Sequence, residues 1–146
     1  MTIWDRLSTS LGLMNVGRQF EITETKIREL RIRCPGPHAP VASLSGGNQQ
    51  KVVLSKWLVR DCSILLLDEP TRGIDVGAKQ EMYRLINELC AAGRGVILVS
   101  SDLPELMAMS DRIYVMHEGD FVAELPAGSA TQEAVMHHAS GLGRTV

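Results

Sequence analysis

Apolar positions along the 146-residue chain follow two different rhythms. Before Pro40 they recur at helical spacing. Trp4, Leu7, Leu11 and Met14 predict a short amphipathic helix at the start, and Ile27, Leu30 and Arg31 mark one face of a second, from about Thr23 through Arg33. The segment Cys34-Pro35-Gly36-Pro37-His38-Ala39-Pro40 reads as a linker or turn, because three prolines and a glycine punctuate it. After Pro40, amphipathic stretches alternate with short apolar runs. Asn48 through Leu58 predicts a helix, and Ile64 to Leu67 a strand buried on both faces. Gly77 through Cys90 predicts a helix with Met82, Leu85, Ile86 and Leu89 on one face, ended by Ala91-Ala92-Gly93. Val96 to Val99 is the next buried strand, and Leu103 through Met109 a short helix with Asp102 as its N-cap. Arg112 through His117 and Phe121 through Leu125 predict two strands joined at a turn, Glu118-Gly119-Asp120, before a last short helix, Thr131 through His138. The order strand, helix, strand implies right-handed crossovers and parallel pairing, with the last two strands antiparallel. The expected fold class is therefore α/β: a helical part and linker over residues 1–40, then an α/β part over 41–146.

Composition narrows this picture. Hydrophobic residues make up 45% and charged residues 22%, ordinary for a globular domain with its own core. The formal net charge of -2 supplies no basic field, so nucleic acid is not an expected partner. Cys34, Cys62 and Cys90 are widely spaced and form no zinc pattern, and an odd count suits a reducing compartment. The opening residues lack the long apolar core of a secretory signal, and no run approaches the ~20 apolar residues of a membrane span. Docking onto a membrane partner remains open.

Two segments carry chemistry. In Ile64-Leu65-Leu66-Leu67-Asp68-Glu69-Pro70, four apolar residues run into two carboxylates, which emerge at the strand's C-terminal end, where open α/β sheets place ligands. An aspartate there can hold magnesium, and a neighbouring glutamate can orient or deprotonate water. The plain alternative is a solvated edge or a cap. Upstream, Leu44-Ser45-Gly46-Gly47-Asn48-Gln49-Gln50-Lys51 is a glycine turn opening a helix. Its N–H groups, dipole and Ser45 hydroxyl suit a phosphate, although for the segment taken alone a plain Ser-Gly-Gly turn with a helix cap is the favoured reading, since free N–H groups begin every helix. Trp57 is expected in the core, His117 at the surface, and the adjacent His137 and His138 pointing apart. Arg72, Lys79 and the Arg28, Arg31 and Arg33 set read as solvated charge.

Together the two segments resemble ATP-binding-cassette ATPases, members of the P-loop NTPase fold. Leu44 through Lys51 is similar to the family's signature motif, and Ile64 through Glu69 to its Walker B strand with the catalytic glutamate. Gly73-Ile74-Asp75 falls where the family has its D-loop, and Ser100-Ser101-Asp102 at its switch region. The wording LSGGNQQK, then DEPTRGIDVGAK, resembles the second nucleotide-binding domain of fused sugar-import ATPases of the ribose, galactoside and arabinose type. The likeness runs from Val41 to Gly141, about two-thirds of the chain, with residues 1–40 loosely matching the helical subdomain. It implies a sandwich of two nucleotide-binding domains. Ser45, Gly46, Gly47 and Asn48 would meet ATP held mainly by the partner domain. Asp68 would hold Mg2+, Glu69 would serve the attacking water, Ser101 would lie at the switch, and Asp75 would couple the two sites. It also implies permease subunits, indirectly a sugar-binding protein, and a cytoplasmic location on the inner face of the cell membrane.

Three departures qualify the likeness. No GxxxxGK[ST] pattern occurs in these residues, nor a recognisable glutamine loop, so the expected form is the signature and Walker B half of a domain, inactive alone. Ser101 stands where most of the family has histidine, and Asn48 where glutamine is commoner; both changes resemble the sugar-import subgroup. The competing readings are a non-catalytic interaction module or inert truncated product, and a cassette ATPase outside transport.

Overall fold

The computed structural model describes residues 14–142. The helix expected on Trp4, Leu7 and Leu11 falls on residues 1–13, outside the described residues; Met14 itself lies in an isolated bridge. The chain forms two compact units, one up to Ile97 and one from Leu98 onward.

In the first unit, α1 spans Val16–Glu29. It begins earlier than the periodicity suggests because Asn15 caps it, its side chain accepting from the Arg18 N–H at 3.0 Å. It also ends earlier: Arg31 adopts φ 51, which turns Ile32 into the core. The proline-rich linker contains no helix or strand and leads through a single 3-10 turn, Val41–Ser43, to α2, Gly46–Leu58. Helix α2 buries Gly47, Lys51, Leu54 and Leu58, one stripe at helical spacing. It packs on α3, Val76–Ala91, which buries Met82, Leu85 and Ile86. Trp57 lies off that stripe and is 49% exposed, so it is not the core residue expected.

Strand β1, Ile64–Asp68, pairs with β2, Gly95–Val99, in a two-stranded parallel sheet. The prediction of burial on both faces fails. Leu65 is buried, but Ile64 and Leu66 are 67% and 70% exposed, because the described residues cover only one side of the strand. Arg94 fastens the two approaches to the sheet, donating to the Cys62 carbonyl and to Asp61 Oδ1. An apolar cavity of about 270 Å³ lies between α1, the linker and α2, lined by Ile22, Ile27, Ile32, Leu44, Val52 and Val59.

The second unit holds α4, Leu103–Met109, strands β3, Arg112–His117, and β4, Asp120–Pro126, a 3-10 turn Ala127–Ser129, and α5, Gln132–Ala139. Its core is Ile113, Val115, Ala130 and Val135, with Leu103, Leu106 and Leu125 packed around them. Strands β3 and β4 pair antiparallel as expected. The turn is two residues rather than three: His117 already pairs with Asp120, and Glu118 and Gly119 both take positive φ, the geometry of a type I′ hairpin. His117 is not a free surface residue. Its Nδ1 lies 2.8 Å from the Ala139 carbonyl, which fastens the end of α5 to the hairpin. The His137 and His138 rings meet edge-on at 5.7 Å instead of pointing apart. No helix among the described residues is long and apolar enough to cross a membrane.

Candidate functional site

The carboxylate pair sits where β1 ends. Asp68 is the last strand residue and is exposed. Glu69 follows with φ 46, a left-handed conformation that costs a non-glycine residue about 1–3 kcal/mol. The chain then turns sharply. The Arg72 N–H donates to the Glu69 carbonyl at 3.1 Å, Thr71 is buried, and Gly73 takes φ 74. Asp75 closes the turn by capping α3, accepting from the Ala78 N–H at 2.9 Å. Arg31, Asp61 and Glu118 share this conformation, so by itself it marks a tight turn.

The glycine turn lies against this one. A Cβ on Gly46 would stand 3.3 Å from Ile74 Cγ2, and one on Gly47 only 2.6 Å from Ala78 Cβ. Gly47 is buried, so its lack of a side chain serves helix packing as well as any ligand. The close approach brings the Ser45-Gly46-Gly47 turn beside the Gly73-to-Ala78 turn that follows the carboxylates. Ser45 is the N-cap residue of α2, yet its side chain makes no capping bond. Its Oγ accepts instead from Asn48 Nδ2 at 2.8 Å, while Asn48 Oδ1 accepts from the Arg33 N–H at 2.8 Å. Ser101 is exposed in the second unit, on the turn between β2 and α4.

Two groups escaped the sequence reading. Lys51 is buried on the core stripe of α2 and donates to Glu81 Oε2 of α3 at 2.8 Å and to the Arg31 carbonyl at 3.3 Å. The Arg33 guanidinium reaches Glu81 Oε1 at 3.1 Å. The Lys51 hydrogen bond and charge, with smaller help from Arg33 and Arg84, hold the Glu81 carboxyl below its ordinary value of 4.5. The signal was available: a lysine at the spacing of Gly47 and Leu54 needs a buried anion. Glu105 of α4 is almost fully buried and accepts from Ser100 Oγ, while its own N–H donates to the Asp102 cap at 3.3 Å. Asp102 with Glu105 three residues on is the spacing of a capping box, legible in sequence.

Chemically, Asp68 offers a hard, accessible oxygen suited to Mg2+. The start of α2, not capped by Ser45, offers donors suited to a phosphate. The residues present therefore fit a magnesium nucleotide.

Comparisons with known proteins point to one family. The ABC transporter family model matches residues 6–72. The chain is 51% identical over 138 residues to a xylose import ATP-binding protein (XylG) of Thermoanaerobacter pseudethanolicus, covering 94% of this chain and 27% of that protein. It is 50% identical to a galactose/methyl galactoside import ATP-binding protein (MglA) of Clostridium perfringens over 91% of this chain and 26% of that protein. It thus spans about a quarter of the length of these curated relatives. Among solved structures, an ABC transporter chain in an inward-facing conformation aligns with TM-score 0.77 at 14% identity, over 94% of this chain and 54% of that one. A nucleotide-free ATP-binding cassette aligns with TM-score 0.68 at 20% identity, over 96% and 59%. At these identities the structural likeness speaks for the fold alone.

Proposed function

We propose, from the chain's membership of the ABC transporter family, that these residues form the signature-helix and Walker B portion of an ATP-hydrolysing subunit that energises carbohydrate import. The observation that carries this reading is the packing of the Ser45-Gly46-Gly47 turn beside the turn that follows Asp68 and the strained Glu69. Naming of the 49–51% identical relatives as xylose, ribose and galactose import proteins supports the sugar class.

In this reading Asp68 would hold Mg2+, Glu69 would orient and deprotonate water, and Ser101 stands at the family's switch position. Ser45, Gly46, Gly47 and Asn48 form a face for ATP held by a second nucleotide-binding domain, and Asp75 fixes the turn at the interface. Bound magnesium would supply charge neutralisation on the phosphates, where most of the catalytic advantage in phosphoryl transfer arises. The partners are the second domain, membrane permease subunits and, through them, a sugar-binding protein. The site of action is the cytoplasmic face of the membrane.

Isothermal titration with MgATP tests this reading. The 146-residue chain alone is expected to show neither micromolar binding nor turnover. Mixed with a P-loop-bearing cassette domain, it is expected to develop a saturable binding heat that S45A weakens. Micromolar binding with turnover by the chain alone would contradict the half-site assignment. No effect of S45A in the mixture would contradict the role of the glycine turn.

A further inference from the structure

We infer that Asn48 is a positioning residue: it fixes the polarity of the Ser45 hydroxyl so that its proton points outward as a donor to an anion. The inference rests on the nucleotide reading of the glycine turn and refines it. The Arg33 main-chain N–H can only donate, and it lies 2.8 Å from the Asn48 amide oxygen. That fixes the orientation of the amide. Its NH2 end must then face Ser45 Oγ, 2.8 Å away, and an NH2 group can only donate. Ser45 Oγ therefore spends an acceptor lone pair on Asn48, and its own proton is not drawn toward that side chain. The side chain of Ser45 makes no capping bond to α2, so the hydroxyl is not diverted to the helix either. Asn48 stands at the centre of a relay from the turn after α1 to the glycine turn.

The same contacts make this position a link between elements. Arg33 also binds Glu81 of α3 through its guanidinium, and Glu81 binds Lys51, which holds the Arg31 carbonyl.

The isosteric change N48D separates positioning from packing. It keeps an acceptor for the Arg33 N–H but replaces the donor end with a second acceptor. Ser45 then turns its proton inward to the carboxylate, and the anion face loses a donor and gains a negative charge.

Two measurements on dilute 15N-labelled full-length chain test the inference. Without ligand, the Asn48 side-chain amide protons are expected to exchange with solvent several-fold faster in S45A than in wild type, as follows when a partnered donor is released. Unchanged exchange would overturn the inference whatever the nucleotide result. With MgATP as probe and a P-loop-bearing cassette domain present in the mixture, the Gly46 and Gly47 amide signals are expected to shift in wild type. N48D should raise the dissociation constant about ten-fold or more, the scale of losing a hydrogen bond to a charged group. Equal affinity in wild type and N48D would overturn the inference. An absence of any shift in wild type would overturn the nucleotide reading beneath it, while the exchange measurement still decides the Asn48–Ser45 link.

Discussion

At the residue scale, the glycine turn is held by packing as much as by any ligand. Gly47 lies where a methyl group would meet Ala78 Cβ at 2.6 Å, an atom tied directly to the α3 backbone. G47A should therefore lose stability by about 1–2 kcal/mol, overpacking outweighing the better helix propensity of alanine. The double variant G47A/A78G should recover most of that loss in urea denaturation, whereas strictly additive effects would show that the two positions do not touch. Lys51 and Glu81 give a pH-dependent counterpart. The folded carboxyl of Glu81 is held below 4.5, so its contribution is fully present above that pH and fades as the pH falls through the lowered folded value. Glu81 is partly exposed, which keeps the contribution modest. Denaturation midpoints of wild type and E81Q should differ near neutral pH and converge in acid; a gap that persists unchanged in acid would remove the ion pair as its source.

At the scale of elements, α2 is tied down along its length: by Gly47 on Ala78, by Lys51 on Glu81, and by Leu54 and Leu58 in the core. The exposed row of β1 is the opposite case. Ile64 and Leu66, with Ile97 of β2 at 55% exposure, offer apolar surface that nothing among the described residues covers. Such surface favours self-association. Sedimentation velocity of the wild-type chain should reveal concentration-dependent association that L66S reduces; a wild type that stays monomeric at every concentration would contradict this.

These elements also mark how far the sequence could be read. Every expected strand exists, and Asp102 caps α4 as its position predicts. Local propensity and capping decide those features. The burial of β1 depends on neighbouring layers, which no local pattern contains, and the exposure of Trp57 depends on which α2 face meets α3. The start of α1 was missed because the Asn15 cap outweighs a weak apolar period, and the hairpin turn was one residue too long because only the register reveals that Asp120 already pairs.

At the scale of the molecule, the acids at a strand end and the glycine turn at a helix start were legible because local sequence patterns place them there. Their supports were not: the Lys51–Glu81 pair and the Asn48 relay are contacts between residues 15 to 30 positions apart. The chain covers about a quarter of the length of its curated relatives, and the proposed chemistry is that of a whole import assembly containing it. The direct measurement is steady-state MgATP hydrolysis by such an assembly carrying E69Q in this chain. Glutamine keeps the shape of Glu69 but cannot accept a proton from water. Hydrolysis at this site should fall by about 10²–10⁴-fold while MgATP stays bound. Hydrolysis at the wild-type rate by the E69Q assembly would contradict the assignment of Glu69 as the catalytic base.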